Sequence, residues 1–248
     1  PVFLDHLGVL QNDKPNYVHI LEIPQVNESG EIVSTAPLSN YSLPAAVPAL
    51  DQTELRNIFT ASDSSWISST GPFIRNFEHR FAVTHRKTYG VAVNNGTSAL
   101  MLALKALDIG HGDEVIIPNL TFAAVANAVI AAGADCVLSD VEQDRPLLDL
   151  DEVQKLVSKK TKAVIVVHSY GYIVDVAALR KTLPDSISII EDCAEAHFGQ
   201  LGDTLVGEVS EIATFSFFAN KIITTGEGGM CLTSSQILKE RMETIRDH

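Results

Sequence analysis

The sequence predicts an α/β protein built on a mainly parallel sheet with helices on both faces. Three observations lead there. From residue 90 onward, short apolar runs alternate with helical patterns. The runs are apolar at successive positions, as in KAVIVVH (162–168) and ISIIE (187–191), so both faces of the sheet must be covered. Helix-length stretches separate most of them, and crossovers between parallel strands need that length.

The elements follow in order. Residues 1–48 differ from the rest, with scattered apolar residues and several prolines. Within 19–33, two short strands could flank a turn at Asn27-Glu28-Ser29-Gly30, a piece faintly resembling the strand-turn-strand ending of a CBS-type regulatory module; an unstructured leader is the preferred expectation. Residues 34–48, rich in Ser, Pro and Ala, read as a linker. A helix is expected from Asp51, capped by Thr53, then a loop over 64–72. A second helix covers 73–85, with Phe73, Phe77 and Phe81 on one face. Strands are expected at 90–94, 114–117, 135–139, 162–168, 187–191, 213–218 and 229–233. Helices are expected at 97–107, 122–132, 150–158, 175–182 and 236–246. Helix 97–107, TSALMLALKAL, is apolar nearly all round and should be sandwiched deeply.

Composition narrows the function. A chain of 248 residues, 46% hydrophobic, supports one large core or two small ones. A net charge of -13 argues against nucleic acid or an anionic membrane as partner. A phosphate-bearing ligand must then be held by local devices such as helix N-termini. Cys136, Cys193 and Cys231 have no CxxC spacing and read as reduced thiols of a cytoplasmic protein, with no metal site. There is no signal peptide and no apolar run near 18 residues. The chain starts Pro1-Val2-Phe3 and stops inside a helical pattern, as a fragment of a longer protein would.

In a parallel sheet, ligands gather at the carboxyl ends of the strands, and the chemically marked residues follow strands. Asn95-Gly96-Thr97-Ser98 opens the buried helix, where glycine, hydroxyls and free N–H groups suit a phosphate or simply cap the helix. Phe122, past Pro118-Asn119-Leu120-Thr121, is placed to stack on a planar ring or to fill the core. Asp192 follows a strand; it suits a protonated ring nitrogen, a helix N-cap or a metal. Glu195 and His197 follow on the same turn, near a ligand edge or, for His197, in the core. Lys221 lies between the apolar run 213–218 and the turn Gly226-Glu227-Gly228-Gly229. Partial burial there disfavours the ammonium form and suits a Schiff-base lysine, though a strand-end surface lysine has the same pattern. Phosphate cradle, stacking aromatic, aspartate and lysine, in that order, are the four fixtures that pyridoxal 5'-phosphate needs.

Residues 44–246 resemble the DegT/DnrJ/EryC1/StrS sugar-nucleotide aminotransferases. The matching pieces are Gly71-Pro72 with Phe77-Glu78, Asn95 to Leu100, Pro118 to Phe122, and His168-Ser169-Tyr170-Gly171. The most specific are Glu191 to His197, and Phe215 to Lys221 with Thr225 to Gly229. The resemblance implies the large domain of a fold-type-I pyridoxal phosphate transferase over 49–248, with 1–48 a leader and linker. It implies that Lys221 carries the cofactor and moves protons, and that Asp192 binds the ring nitrogen. Glu195 would lie near the ring hydroxyl, Phe122 would stack, and Gly96, Thr97, Ser98 and Ser216 would hold the phosphate. It implies an amino acid, L-glutamate, as donor and a nucleotide-linked deoxysugar as acceptor, as in perosamine-type synthases, within a homodimer that shares its active sites. A cyclitol keto group is the alternative acceptor, and a non-catalytic relative the alternative class. Two features depart from the family: Cys193 stands where alanine is commoner, and family members continue past the lysine into a smaller domain.

Overall fold

The computed structural model describes residues 22–26, 32–37 and 52–247. The chain divides after Ile67 into two compact units; composition alone places a division after residue 48. In the first unit, strands β1 (Glu22–Val26) and β2 (Ile32–Pro37) pair antiparallel, with a register shift at Val26. β2 runs into the stretch expected to be linker. The expected turn at 27–30 and the rest of that linker lie outside the described residues. Helix α1 (Gln52–Asp63) starts before Thr53, so Thr53 sits in the first turn and not at the expected cap.

In the second unit, α2 (Pro72–Thr84) opens on proline, whose missing N–H would have no helical partner there. The alternation then runs β3 (Tyr89–Val93), α3 (Gly96–Ala106), β4 (Glu114–Pro118), α4 (Ala124–Ala132), β5 (Asp135–Ser139), α5 (Leu150–Leu156) and β6 (Thr161–Val167). It continues with α6 (Val176–Thr182), β7 (Ser188–Asp192), the two-residue strands β8 (Gln200–Leu201) and β9 (Thr204–Leu205), β10 (Ile212–Ser216), β11 (Gly229–Thr233) and α7 (Gln236–Asp247). Most expected boundaries shift by one or two residues, and two of the shifts bear on the site. The strand expected to reach Phe218 ends at Ser216, because the Phe217 N–H turns to the Gly228 carbonyl (2.8 Å). The helix expected from Phe122 starts at Ala124 and leaves Phe122 in the preceding loop.

The seven-stranded sheet has the order β3-β11-β10-β7-β6-β4-β5. It is parallel from β10 to β5, and β11 runs antiparallel to both β10 and β3. Alternate residues of each strand serve opposite layers. Val115, Ile117, Ala163, Ile165, Ile190 and Ile212 pack with α3, α4 and Met242 of α7. Ile116, Val164, Val166 and Ile189 pack with Val153 of α5 and Leu179 of α6. On that second face, Ala213, Phe215, Met230 and Leu232 pack against Phe81 of α2. Leu100, Leu102 and Leu104 of α3 are all buried, as its composition predicts. Among the described residues, no helix is long and apolar enough to cross a membrane.

One polar clamp joins the ends of this unit. The Ala92 N–H of β3 and the Arg246 guanidinium of α7 both donate to Glu78 Oε1 of α2, each at 2.8 Å. The pair is largely shielded from water, with side chains 12% and 20% exposed. Glu78→Ala would strand the Ala92 N–H, while the Arg246 guanidinium would keep Asp247, whose Oδ1 it meets at 2.7 Å. It is expected to lower unfolding free energy by about 1–3 kcal/mol in urea titration, and Glu78→Gln by less. A loss under about 0.5 kcal/mol would show that the clamp is solvated and weak.

Candidate active site

The carboxyl ends of the parallel strands meet the start of α3. Asn95 caps that helix from an extended backbone, its Oδ1 accepting the Ser98 N–H at 2.8 Å. A Cβ on Gly96 would lie 2.8 Å from the Cβ of Ser216, and one on Gly229 would lie 2.3 Å from the Asn95 carbonyl oxygen. Only glycine lets the helix start, the end of β10 and the start of β11 come this close. The first-turn N–H groups of Gly96 and Thr97 face no carbonyl of their own helix.

These segments bound a cavity of about 670 Å³. Gly96, Thr97, Phe122, Asp192, Glu195, Ser216 and Lys221 all line it. Ser98 is not among the lining residues, and its amide is committed to the Asn95 cap. Phe122, 79% exposed, stands at the wall beside the half-exposed Leu120. Asn119 pins their loop to β5, donating through its side chain to Asp140 Oδ1 (2.6 Å) and through its amide to the Ser139 carbonyl (2.9 Å).

Asp192 ends β7, and among the described residues its side chain takes one hydrogen bond, from the Ala194 N–H at 3.1 Å. Burial, only partly offset by that amide, His168 and Lys221, raises its carboxyl to about 6. It is a buried acid short of a cationic partner. Lys221 Nζ lies 3.4 Å from Glu195 Oε1, and the lysine side chain is 19% exposed. The other Glu195 oxygen accepts the Tyr170 N–H at 2.9 Å.

The segment carrying Lys221 is folded on itself. Phe217, fully buried, bonds Gly228 and Thr225 through its backbone (2.8 and 3.0 Å), and Gly226 turns at φ +83°. His197 lies off the cavity, 4% exposed and packed against Phe215 and Phe217. Burial depresses its pKa to about 4, so it is a neutral core histidine.

Sequence reasoning left the buried His168–Glu191 pair unassigned. Val174 N–H donates to His168 Nδ1 (3.2 Å), so Nε2 carries the hydrogen given to Glu191 Oε2 (2.9 Å). Burial alone would raise Glu191, but His168 and the N–H groups of Gly207 and Ser210 hold it below its ordinary value. Cys193 completes a group close enough to hold a metal ion. The His168 and Glu191 donor atoms are already spent on hydrogen bonds, and burial holds the Cys193 thiol protonated.

Comparison with known proteins places this geometry. A model of the DegT/DnrJ/EryC1/StrS aminotransferase family matches residues 48–248. GDP-perosamine synthase of Vibrio cholerae is 40% identical over 206 residues, 83% of this chain and 56% of that protein. The L-glutamine:2-deoxy-scyllo-inosose aminotransferase of Streptomyces kanamyceticus is 40% identical over 173 residues, 69% and 40% of the two chains. The Streptococcus pneumoniae protein Spr1654, solved in a PLP form, superposes with a TM-score of 0.77 at 27% identity over 82% of this chain and 57% of that one. The chain thus spans about half the length of the curated relatives it matches.

Asp192 carries a stability cost that can be measured. Its folded pKa, raised from 3.8 to about 6, means that the folded state binds this proton more tightly than the unfolded state. Stability therefore falls as pH rises from about 4 to about 6. In the ligand-free protein, Asp192→Asn is expected to raise unfolding free energy at pH 7 by about 3 kcal/mol, with the gain vanishing near pH 4. Urea unfolding at the two pH values reads this out, and equal stability at pH 7 would mean that the carboxylate is already compensated.

Proposed function

The chain belongs to the DegT/DnrJ/EryC1/StrS aminotransferase family, and on that premise we propose a pyridoxal 5'-phosphate-dependent aminotransferase. It moves an amino group from an amino acid, L-glutamate, to a keto group of a nucleotide-linked deoxysugar, in amino-sugar and polysaccharide biosynthesis. The observation that carries this reading is one cavity holding Lys221, the buried acid Asp192 and the neutral donors at the start of α3.

The residues fit the cofactor. The cradle where a Cβ on Gly96 would press on Ser216 offers free amides and hydroxyls to a dianion, with no basic side chain needed. Gly96, Thr97 and Ser216 would hold the phosphate, and the Ser98 amide orients the helix start. Asp192 would meet a ring N–H and keep its proton in place, which would also offset the cost of its buried charge. Phe122 would pack on the ring, and Glu195, which steadies Lys221 Nζ, would serve its hydroxyl. The cofactor, when bound, supplies an electron sink and a carbon that carries nitrogen between substrates. Lys221 Nζ takes the proton from the donor's α-carbon and returns one on the acceptor side. A lysine at this position, in place of histidine, favours amino transfer over dehydration.

A keto-cyclitol acceptor is the second reading, favoured by the 40% identity to the deoxy-scyllo-inosose aminotransferase. We infer a cytoplasmic enzyme, in keeping with three free thiols. We infer also a homodimer that shares its active sites, in keeping with the exposed Leu120, Phe122 and Phe218 at the cavity.

Borohydride reduction of the protein incubated with pyridoxal 5'-phosphate, followed by peptide mapping, tests the reading. A phosphopyridoxyl group on Lys221 alone is expected, reduced in amount by prior incubation with L-glutamate and absent in Lys221→Ala. Label elsewhere, or none on the folded protein, overturns the proposal.

A further inference from the structure

Tyr170 is a large aromatic in a backbone conformation that disfavours it. Its φ of 55° and ψ of 27° lie in the left-handed region, which crowds a bulky side chain against its own backbone. Among the described residues, four other non-glycine residues share positive φ, and none of them lines the cavity. Phe198, the other aromatic among them, is accounted for by packing, since its ring stacks on His85 at 4.9 Å. Packing does not account for Tyr170, which is 78% exposed and lines the cavity beside Lys221 and Glu195. The fold needs the turn but does not need a tyrosine in it.

The conformation is fixed from both sides. His168, just before the turn, donates its amide to the Asp192 carbonyl (3.1 Å) and takes the Val174 N–H on its ring. Tyr172 N–H closes the turn on Ser169 (3.0 Å). The Tyr170 N–H itself is held by Glu195, whose second oxygen faces Lys221 Nζ. Glu195 thus registers the aromatic against the reactive amine. Backbone strain kept at a cavity wall by a residue of the site is the pattern of a functional constraint.

We propose that Tyr170 is a specificity-determining residue that packs its ring against the apolar face of the hydroxyl-bearing keto ring of the acceptor, with Glu195 as its positioning residue. The inference rests on the aminotransferase reading and deepens it. An aromatic face recognises a saturated ring bearing axial and equatorial hydroxyls, and gives a small, flexible amino-acid donor little to pack against.

The test uses the cofactor-loaded protein with Tyr170→Phe and Tyr170→Gly. GDP-4-keto-6-deoxymannose and 2-deoxy-scyllo-inosose serve as separate acceptor probes, and L-glutamate as donor. In Tyr170→Gly, KM for the better acceptor is expected to rise about tenfold, roughly 1.4 kcal/mol, against less than about threefold for the donor. Tyr170→Phe keeps the ring and is expected to stay within about threefold of the parent for both. The cofactor-free glycine variant is expected to melt at the parent's temperature or up to about 4 °C above it, because strain is relieved. Equal effects on donor and acceptor, a phenylalanine variant as impaired as the glycine one, or a clearly lower melting temperature each overturn the inference. If Lys221 takes no cofactor, the aminotransferase reading itself falls and this inference with it. Loading on Lys221 without acceptor selectivity defeats the inference alone.

Discussion

The carboxyl end of the sheet depends on one buried carboxylate, Glu191. It gathers the ring N–H of His168 and the backbone N–H groups of Gly207 and Ser210. Those bonds outweigh its desolvation, so it stays ionised inside the fold. The donors come from two stretches: His168 from the end of β6, and Gly207 and Ser210 from the loop leading into β10. Gly207 reaches it at φ +83°, with no room for a side chain, since a Cβ would sit 2.8 Å from that of Ala213. β6, β7 and β10 are thereby tied at one level, and the site is assembled on that level.

The direction of Asp192 follows from this. Successive residues of a strand face opposite sides, so fixing Glu191 toward the α5–α6 layer turns Asp192 toward α3. Thr214 and Ser216, on the neighbouring β10, share the face of Asp192. Two adjacent acids, equally buried, therefore have opposite fates. Glu191 collects three donors and is held below its ordinary pKa; Asp192 takes only the Ala194 N–H among the described residues and is raised to about 6. The first stabilises the scaffold, and the second stores an electrostatic demand in the cavity wall that a cationic ligand group can meet.

Much of this was legible in the sequence, for reasons that differ by element. Runs such as AVIVV and SIIE identify interior parallel strands because only strands covered on both faces can be continuously apolar. Gly96 and Gly229 were legible as turn residues, but the 2.3–2.8 Å approaches that exclude a Cβ there are tertiary. The Glu195–Lys221 contact and the His168–Glu191 pair join residues far apart in the chain, and no local spacing encodes them. The β8–β9 hairpin did carry a signal, Gly202-Asp203 between Gln200-Leu201 and Thr204-Leu205, too brief to stand out. Ser98 looked like a ligand residue, but hydroxyl chemistry at a helix start cannot be told from its amide's role in capping. The left-handed backbone of Tyr170 had no signal, since sequence preference argues against it there.

The reversed strand explains why Lys221 lies where it does. A parallel successor to β10 would have required a crossover that carries the chain back to the amino edge of the sheet. Because β11 is antiparallel, β10 ends and β11 begins at the same edge, and all of 217–228 stays there. The segment can then fold on Phe217, whose buried ring anchors it among Phe77 and Phe81 while its backbone holds Gly228 and Thr225. The chain re-enters the sheet at Gly229, against the carbonyl of Asn95, the residue that caps α3. Helix cap, strand end and lysine segment are in this way closed into one rim by topology, with glycine at each point where two backbones touch. A change that separated β11 from β3 would part Lys221 from the start of α3, so the amine and the helix start are set in register by the pairing of these two strands.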